Sequence, residues 1–495
     1  METALGRIAP PTLIYWYLIL TFAKHMITGK ITGADYRLYK NAGFNSDASP
    51  DVMATAMVHL DNSYEFPTYR INSKVCKTNT PSNTAFRAFG APPAMTITEN
   101  MIYDACVELN MDPLQFRRDN LQRVGWENHY GQVMTESDVG MTACLDEVVK
   151  RCDYHNLKKQ VEEFNAKNRW RKRGIYILPN KYGIGIPSMY AHNGCLVHIF
   201  LDGSVLISHG GIEMGQGLHT KMLQVVSTEL GVPMNRIRVA DTSNDKVPNA
   251  IPTGGSSGAD LNGNALRDAC QQLIVRLAPI RAAAGGEKAP WEVVVGMAFG
   301  SRINLSAVGY WAVPTEQGIN FDSVKKKGKR WCYYTVSAAC SVVEIDVLTG
   351  QHTLLSTEMV VDVGQAINPA IDIAQIEAAF IQGYGWISME NTTFSPEGKL
   401  QTRGHSEYNI PSIADCPLKF NVTLLKSEIR QHLLYSSKGV GEPPFFNGVS
   451  VYFAIKEAVR AARQDVGLTG TFSLCQPTTP ANVLEACKAS PLSKP

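Results

Sequence analysis

The chain has 495 residues, with 47 Lys plus Arg against 45 Asp plus Glu, a net charge of +2 and 44% hydrophobic residues. Charge this even excludes the electrostatic footprint of a nucleic-acid or acidic-membrane binder, and the apolar content excludes large-scale disorder. The eleven cysteines are spaced too widely for CxxC, zinc-finger or ferredoxin-cluster patterns, and read as reduced, buried thiols of a cytoplasmic protein.

In chain order, the run Thr12 to Ala23 is apolar but too short for a membrane span of about 20 residues. Glu2 ahead of it and the lack of a small-x-small cleavage site argue against a signal peptide. Residues 1–23 therefore read as a buried or poorly ordered terminal leader. Gly33 to Arg70 mixes strand-like runs with turns, Met101 to Leu109 predicts a helix, and Asp112-Pro113 predicts the capped start of another. Leu145 to Asn165 predicts one helix leading to the basic patch Arg169-Trp170-Arg171-Lys172-Arg173, read as a solvated connection. A boundary there divides the chain into subdomains 24–143 and 144–485.

Leu196 to Ile207 alternates around Asp202-Gly203 and predicts a hairpin, and Ser341 to Met359 repeats the pattern around Leu348-Thr349-Gly350. Helices are predicted over Leu218 to Leu230 (stopped by Gly231 and Pro233), Leu261 to Leu277, Ile371 to Ile381 and Val449 to Ala462. In the last, Val451, Ile455, Ala458, Val459 and Ala462 form one apolar stripe, which is core. Strands and helices interleave without a βαβ rhythm, so the fold class is α+β.

Two glycine-rich turns feed directly into helices: Gly210 to Gly217, and Gly254-Gly255-Ser256-Ser257-Gly258. Neither is a nucleotide P-loop. Each could hold an anion on free backbone N–H groups at a helix N-terminus, or be an ordinary capped turn. Glu442 stands among glycines, prolines and aromatics in SKGVGEPPFF, where lost solvation raises a carboxyl toward general-base range. A structural ion pair with Lys438 is the competing reading. Arg87, among small and aromatic residues, reads alone as a buried residue capping carbonyls.

SNTAFRAFGAPPAM, HGGIEMGQGLHTKM, ADLNG, NPAIDIAQIEAAFIQG and SKGVGEPPFF occur in one order. Together they resemble the molybdenum-domain motifs of the xanthine dehydrogenase and aldehyde oxidase family, from about Lys24 to near the C-terminus. The GEPP form resembles the xanthine dehydrogenase branch. The resemblance implies the later part of a two-subdomain molybdopterin-binding domain, in a homodimeric, cytoplasmic oxidoreductase that hydroxylates aldehydes or N-heterocycles. In this family a pterin dithiolene holds the molybdenum, with no protein ligand to the metal. The matching positions imply that Met214, Gly215 and Gln216 contact the pterin, and that Gly255, Ser256, Ser257 and Gly258 cradle its phosphate end. Ala85, Phe86 and Arg87 would complete the pocket, Gln375 would hydrogen-bond the pterin, Glu442 would be the general base, and Phe89 would pack against a flat substrate ring.

The sequence departs from the family at several points. The motif GGFGGKE is missing, and so are the 2Fe-2S and FAD domains through which electrons leave. Thr55 stands where xanthine-oxidising members carry a substrate-orienting arginine, and Ile186 where a second ring-packing phenylalanine is usual. Purine recognition is therefore expected to be weakened. The alternative reading is a non-catalytic truncated paralogue that serves at most as a dimerisation module.

Overall fold

The computed structural model describes residues 29–187, 190–314, 320–322, 325, 327–425, 427 and 433–487, and the backbone of 3–4, 7–8 and 16–24. The first sheet pairs β1 (Trp16–Lys24) antiparallel with β2 (Ile31–Gly43), which pairs parallel with β3 (Tyr69–Lys77). Two short strands, Thr3–Ala4 and Arg7–Ile8, also pair with β1. The apolar run expected as a separate leader is thus, from Trp16 onward, sheet; Thr12 to Tyr15 lie outside the described residues. Between β2 and β3 lies α1 (Ser49–Met57), which carries Thr55.

The helix read from Met101 begins ten residues earlier, as α2 (Ala91–Leu109), with Pro92 and Pro93 in its first turn. Fourteen of its 19 residues are buried, so it has no polar face to mark its start. Asp112 caps α3 (Pro113–Asn120) as expected, accepting from the amides of Leu114 at 3.0 Å and Gln115 at 2.9 Å. The single helix expected over Leu145 to Asn165 is two, α4 (Met141–Arg151) and α5 (Tyr154–Lys167), broken where Asp153 turns left-handed.

The basic patch is solvated at Arg169, Trp170 and Arg171 but is not a mere connection. Arg171, Lys172 and Arg173 open β4 (Arg171–Ile184): Lys172 is buried against Asp465, and both arginines hold Glu344 at 2.9 Å. The hairpin at Asp202-Gly203 joins β5 (His192–Ile199) to β6 (Val205–His209), with Gly203 left-handed. After β6 come α6 (Leu218–Leu230), β7 (Ile237–Val239), α7 (Gly258–Ala283), α8 (Trp291–Gly300) and β8 (Ser306–Ala312). The second sheet runs β8-β5-β6-β7, with α6, α7 and α8 contributing to its core.

The third sheet joins both halves of the chain. β9 (Tyr333–Asp346) pairs antiparallel with β4 and with β10 (His352–Asp362), and β10 pairs parallel with β11 (Lys419–Leu425). Against it pack α9 (Pro369–Ser388) and α10 (Val449–Gln464), and α11 (Pro480–Cys487) packs on α10. The whole predicted stripe of α10 is buried. A 3₁₀ segment, Pro443–Gly448, lies so close to α9 that a Cβ on Gly383 would sit 2.0 Å from the Phe445 carbonyl oxygen. That contact fixes the chain immediately after Glu442. The fold is α+β, and among the described residues no helix is long and apolar enough to cross a membrane.

Of the eleven cysteines, all free, six are buried and Cys475 is exposed, so burial is the majority pattern only.

Candidate cofactor and substrate site

Three segments distant in sequence meet at Glu442. Its carboxylate accepts from the Ser256 hydroxyl at 2.9 Å and from the Ala88 amide at 3.2 Å. Its own amide donates to the Ser256 oxygen at 2.8 Å, so Ser256 grips the residue twice. Tyr182, at the end of β4, adds a further hydrogen bond to the carboxylate. The side chain is buried, 8% exposed. Burial holds its carboxyl above the ordinary glutamate range, and the bonds from Ser256, Ala88 and Tyr182 and the charge of Arg87 pull it partly back. Lys438 does not pair with Glu442. It forms a buried ion pair with Asp362 at 2.5 Å, which fastens the start of the loop to β10.

Arg87 is fully committed, and to more than carbonyl caps. Its Nε donates to the Gly441 carbonyl at 2.6 Å, and its terminal nitrogens donate to Gln382 at 3.3 Å and Gln375 Oε1 at 3.1 Å. It thereby ties its own loop to the Glu442 loop and to α9. The next two residues, Ala88 and Phe89, both have positive φ, of 69° and 51°. Such strain persists only when the surroundings impose it; here it aims the Ala88 amide at Glu442. Phe86 stands edge-on to Phe445 at 5.4 Å, Ala85 and Phe89 pack on the first hydrophobic core, and Gly90 is pressed against α1. Thr55 is therefore buried on the helix that backs the Phe89 turn.

The two glycine turns behave differently. In the first, Glu213 takes the amides of Gly215, Gly217 and His219 at 2.9–3.0 Å, so these N–H groups are spent internally. Its own carboxylate plays the part of the anion. Gln216 closes the same turn through the Met214 amide and the Ile212 carbonyl, while Met214 is 68% exposed and Gly215 has open space around it. The second turn leads into α7, whose start has no side-chain cap. Space is open at Gly254, and Gly258 meets only ordinary contacts beyond 3.9 Å. Gly255, at φ 62°, is covered by half-buried Ile186, and a Cβ there would lie 2.6 Å from the Ile186 side chain. The Ile212 amide bonds Thr253 at 3.0 Å, so the two turns touch.

This geometry fits a cofactor with an anionic end at the start of α7, where Gly258 and its neighbours offer uncapped helical N–H groups. Of the expected phosphate ligands, Ser257 turns its hydroxyl back to the Gly254 carbonyl at 3.0 Å and Ser256 is committed to Glu442. Backbone amides are what remain. Among the described residues no cluster of three His, Cys, Asp or Glu side chains is arranged to hold a metal. A cavity of about 750 Å³ opens beside Arg87, lined by Phe86, Gln382, Glu390, Tyr408 and Phe420 among others; Glu442 does not border it. The sequence did not single out Tyr182 or Gln382: each is a common residue with no local motif to mark it.

The chain matches the molybdopterin cofactor-binding domain family over residues 25–121 and 147–417. The chain belongs to that family. It is 46% identical over 462 residues to the xanthine dehydrogenase of Drosophila subobscura, covering 93% of this chain and 34% of that protein. To the xanthine dehydrogenase/oxidase of Gallus gallus it is 45% identical over 463 residues, with the same coverage. The chain thus spans about a third of the length of the curated relatives it matches. Its fold is that of the aldehyde oxidoreductase from Desulfovibrio desulfuricans ATCC 27774 (TM-score 0.82, 23% identity, 96% of this chain and 49% of that one). The reconstituted CO dehydrogenase from Oligotropha carboxidovorans is similar (TM-score 0.80, 20% identity, 97% and 62%).

Proposed function

We propose that this chain supplies the cofactor and substrate pocket of a molybdopterin-dependent oxidoreductase that hydroxylates aldehydes or N-heterocycles. The observation that carries the reading is Glu442: a buried carboxylate with a raised pKa, held by Ser256, Ala88 and Tyr182 beside an open glycine turn. When bound, the molybdenum cofactor supplies the redox chemistry. The residues of the chain do the rest. Backbone amides at the start of α7 hold the anionic end, Arg87 and Gln375 set the pocket wall, and Phe89 offers an apolar face to a flat substrate. Glu442 would accept the proton given up by the water-derived oxygen nucleophile as that oxygen bonds to the substrate carbon.

Partner iron–sulfur and flavin domains carry the electrons away, in a cytoplasmic homodimer. The names of the relatives, xanthine dehydrogenases across insects, birds and plants, support an enzymatic lineage over a non-catalytic dimerisation module. The test is Glu442→Gln in an active enzyme containing this chain. Turnover should fall about 10²–10⁴-fold with the cofactor retained. Near-normal turnover would remove Glu442 from the mechanism.

A further inference from the structure

The loop that carries Glu442 is clamped at a second point, where nothing reacts. On β9, Tyr333 and Thr335 face the same way and seize both polar groups of one residue, Gly439. The Gly439 amide donates to the Tyr333 hydroxyl oxygen at 2.9 Å, and the Thr335 hydroxyl donates to the Gly439 carbonyl at 2.8 Å. The Tyr333 hydroxyl in turn donates to Asp260 at 2.7 Å. Asp260 sits in the first turn of α7, four residues after the Ser256 that grips Glu442. Tyr333 is 2% exposed and Thr335 fully buried.

These contacts close a ring. At one end Ser256 joins the glycine turn to Glu442; at the other, Tyr333 joins Asp260 of the same turn-and-helix to Gly439. Between them the two segments touch, since a Cβ on Gly439 would lie 2.4 Å from the Ser256 carbonyl oxygen. The proton order is fixed as well. The Gly439 amide can only donate, so the phenol oxygen accepts from it and the phenol proton goes to Asp260. A hydroxyl already donating to a carboxylate is the better acceptor. Burial raises the Asp260 carboxyl to about 6.

We propose that Tyr333, anchored by Asp260, is a positioning residue for Glu442: it fixes the spacing between the loop bearing the base and the glycine turn that holds it. The proposal rests on Glu442 being the base, and it is tested with and without catalysis. In the 495-residue chain, Tyr333→Phe should make the Gly439 amide exchange with deuterium about tenfold faster or more. Glu442, titrated by isotope-edited infrared spectroscopy against Glu442→Gln, should fall toward the ordinary glutamate range as its surroundings loosen. Thr335→Val, which releases the other end of Gly439, should move both readings the same way if Tyr333→Phe fails to fold. In an active enzyme, Tyr333→Phe should cost about 10–100-fold in kcat with little change in KM, and the acid limb of kcat/KM should move to lower pH. Exchange and titration identical to the unsubstituted chain would overturn the role of Tyr333. If Glu442→Gln abolishes turnover while Tyr333→Phe leaves kcat and the acid limb unmoved, only the positioning fails. If Glu442→Gln turns over normally, the base assignment itself fails.

Discussion

Glu442 combines two opposed demands, burial and charge. Burial favours the protonated carboxyl, so the folded chain holds this proton more tightly than the unfolded chain does. The contribution of such a group to stability is fully present below the unfolded glutamate pKa, about 4.3, and is lost as pH rises through the raised folded value. Glutamine in its place keeps an acceptor for Ser256 and Ala88 and has no proton to lose. Glu442→Gln should therefore gain stability relative to the unsubstituted chain between about pH 4 and about pH 8. Urea denaturation at the two pH values reads the difference. A relative stability that stays flat or falls across that interval contradicts the burial argument.

At the scale of elements, the sequence was most informative where a local rule acts alone. Asp112 before Pro113, Gly231 after Leu230 and Asp202-Gly203 between alternating runs each name a cap or turn, and each is where the chain turns. It was least informative where packing overrides pattern. α1 was read as strand-like, α2 has no polar face, and β4 hides its lysines. The glycine turns were seen, but spacing could not show that Glu213 would spend the amides of the first. The apolar setting and the resemblance both pointed to Glu442 and Arg87, while the bonds these make to Ser256 and Gln382 needed three-dimensional contact. Thr55 on α1 and Ile186 after β4 carry a prediction about substrate. Neither offers a charged donor to a carbonyl-rich purine, and in the proposed reading Phe89 supplies one flat apolar wall. An active enzyme containing this chain should prefer aromatic aldehydes or simple N-heterocycles to xanthine, as measured by kcat/KM. Thr55→Arg should shift the ratio toward xanthine by roughly ten- to hundredfold, the worth of one charge-assisted bond, at some cost in stability because Thr55 is buried. Preference for xanthine with Thr55 in place would mean that another residue supplies the donor.

At the scale of the whole molecule, the three sheets build one side of a cradle more completely than the other. Gln375 and Gln382 of α9 and the Gly441 carbonyl hold Arg87, and Tyr182 of the third sheet joins Ser256 in holding Glu442. The opposite lip is exposed: Met214 is 68% accessible, nothing lies within 4 Å of a Cβ at Gly215 or Gly254, and Glu213 already occupies the amides of the first turn. A ligand set there would gain backbone bonds only at the start of α7 and would keep much of its surface in water, whereas tight small-molecule sites bury about 70–90% of the ligand. The 495-residue chain alone should therefore hold molybdopterin weakly. Elemental analysis of the purified chain should find molybdenum well below one atom per molecule, and the content should rise when the neighbouring domains of the relatives are supplied. One molybdenum per chain without those domains would show that the exposed lip closes over the cofactor by itself.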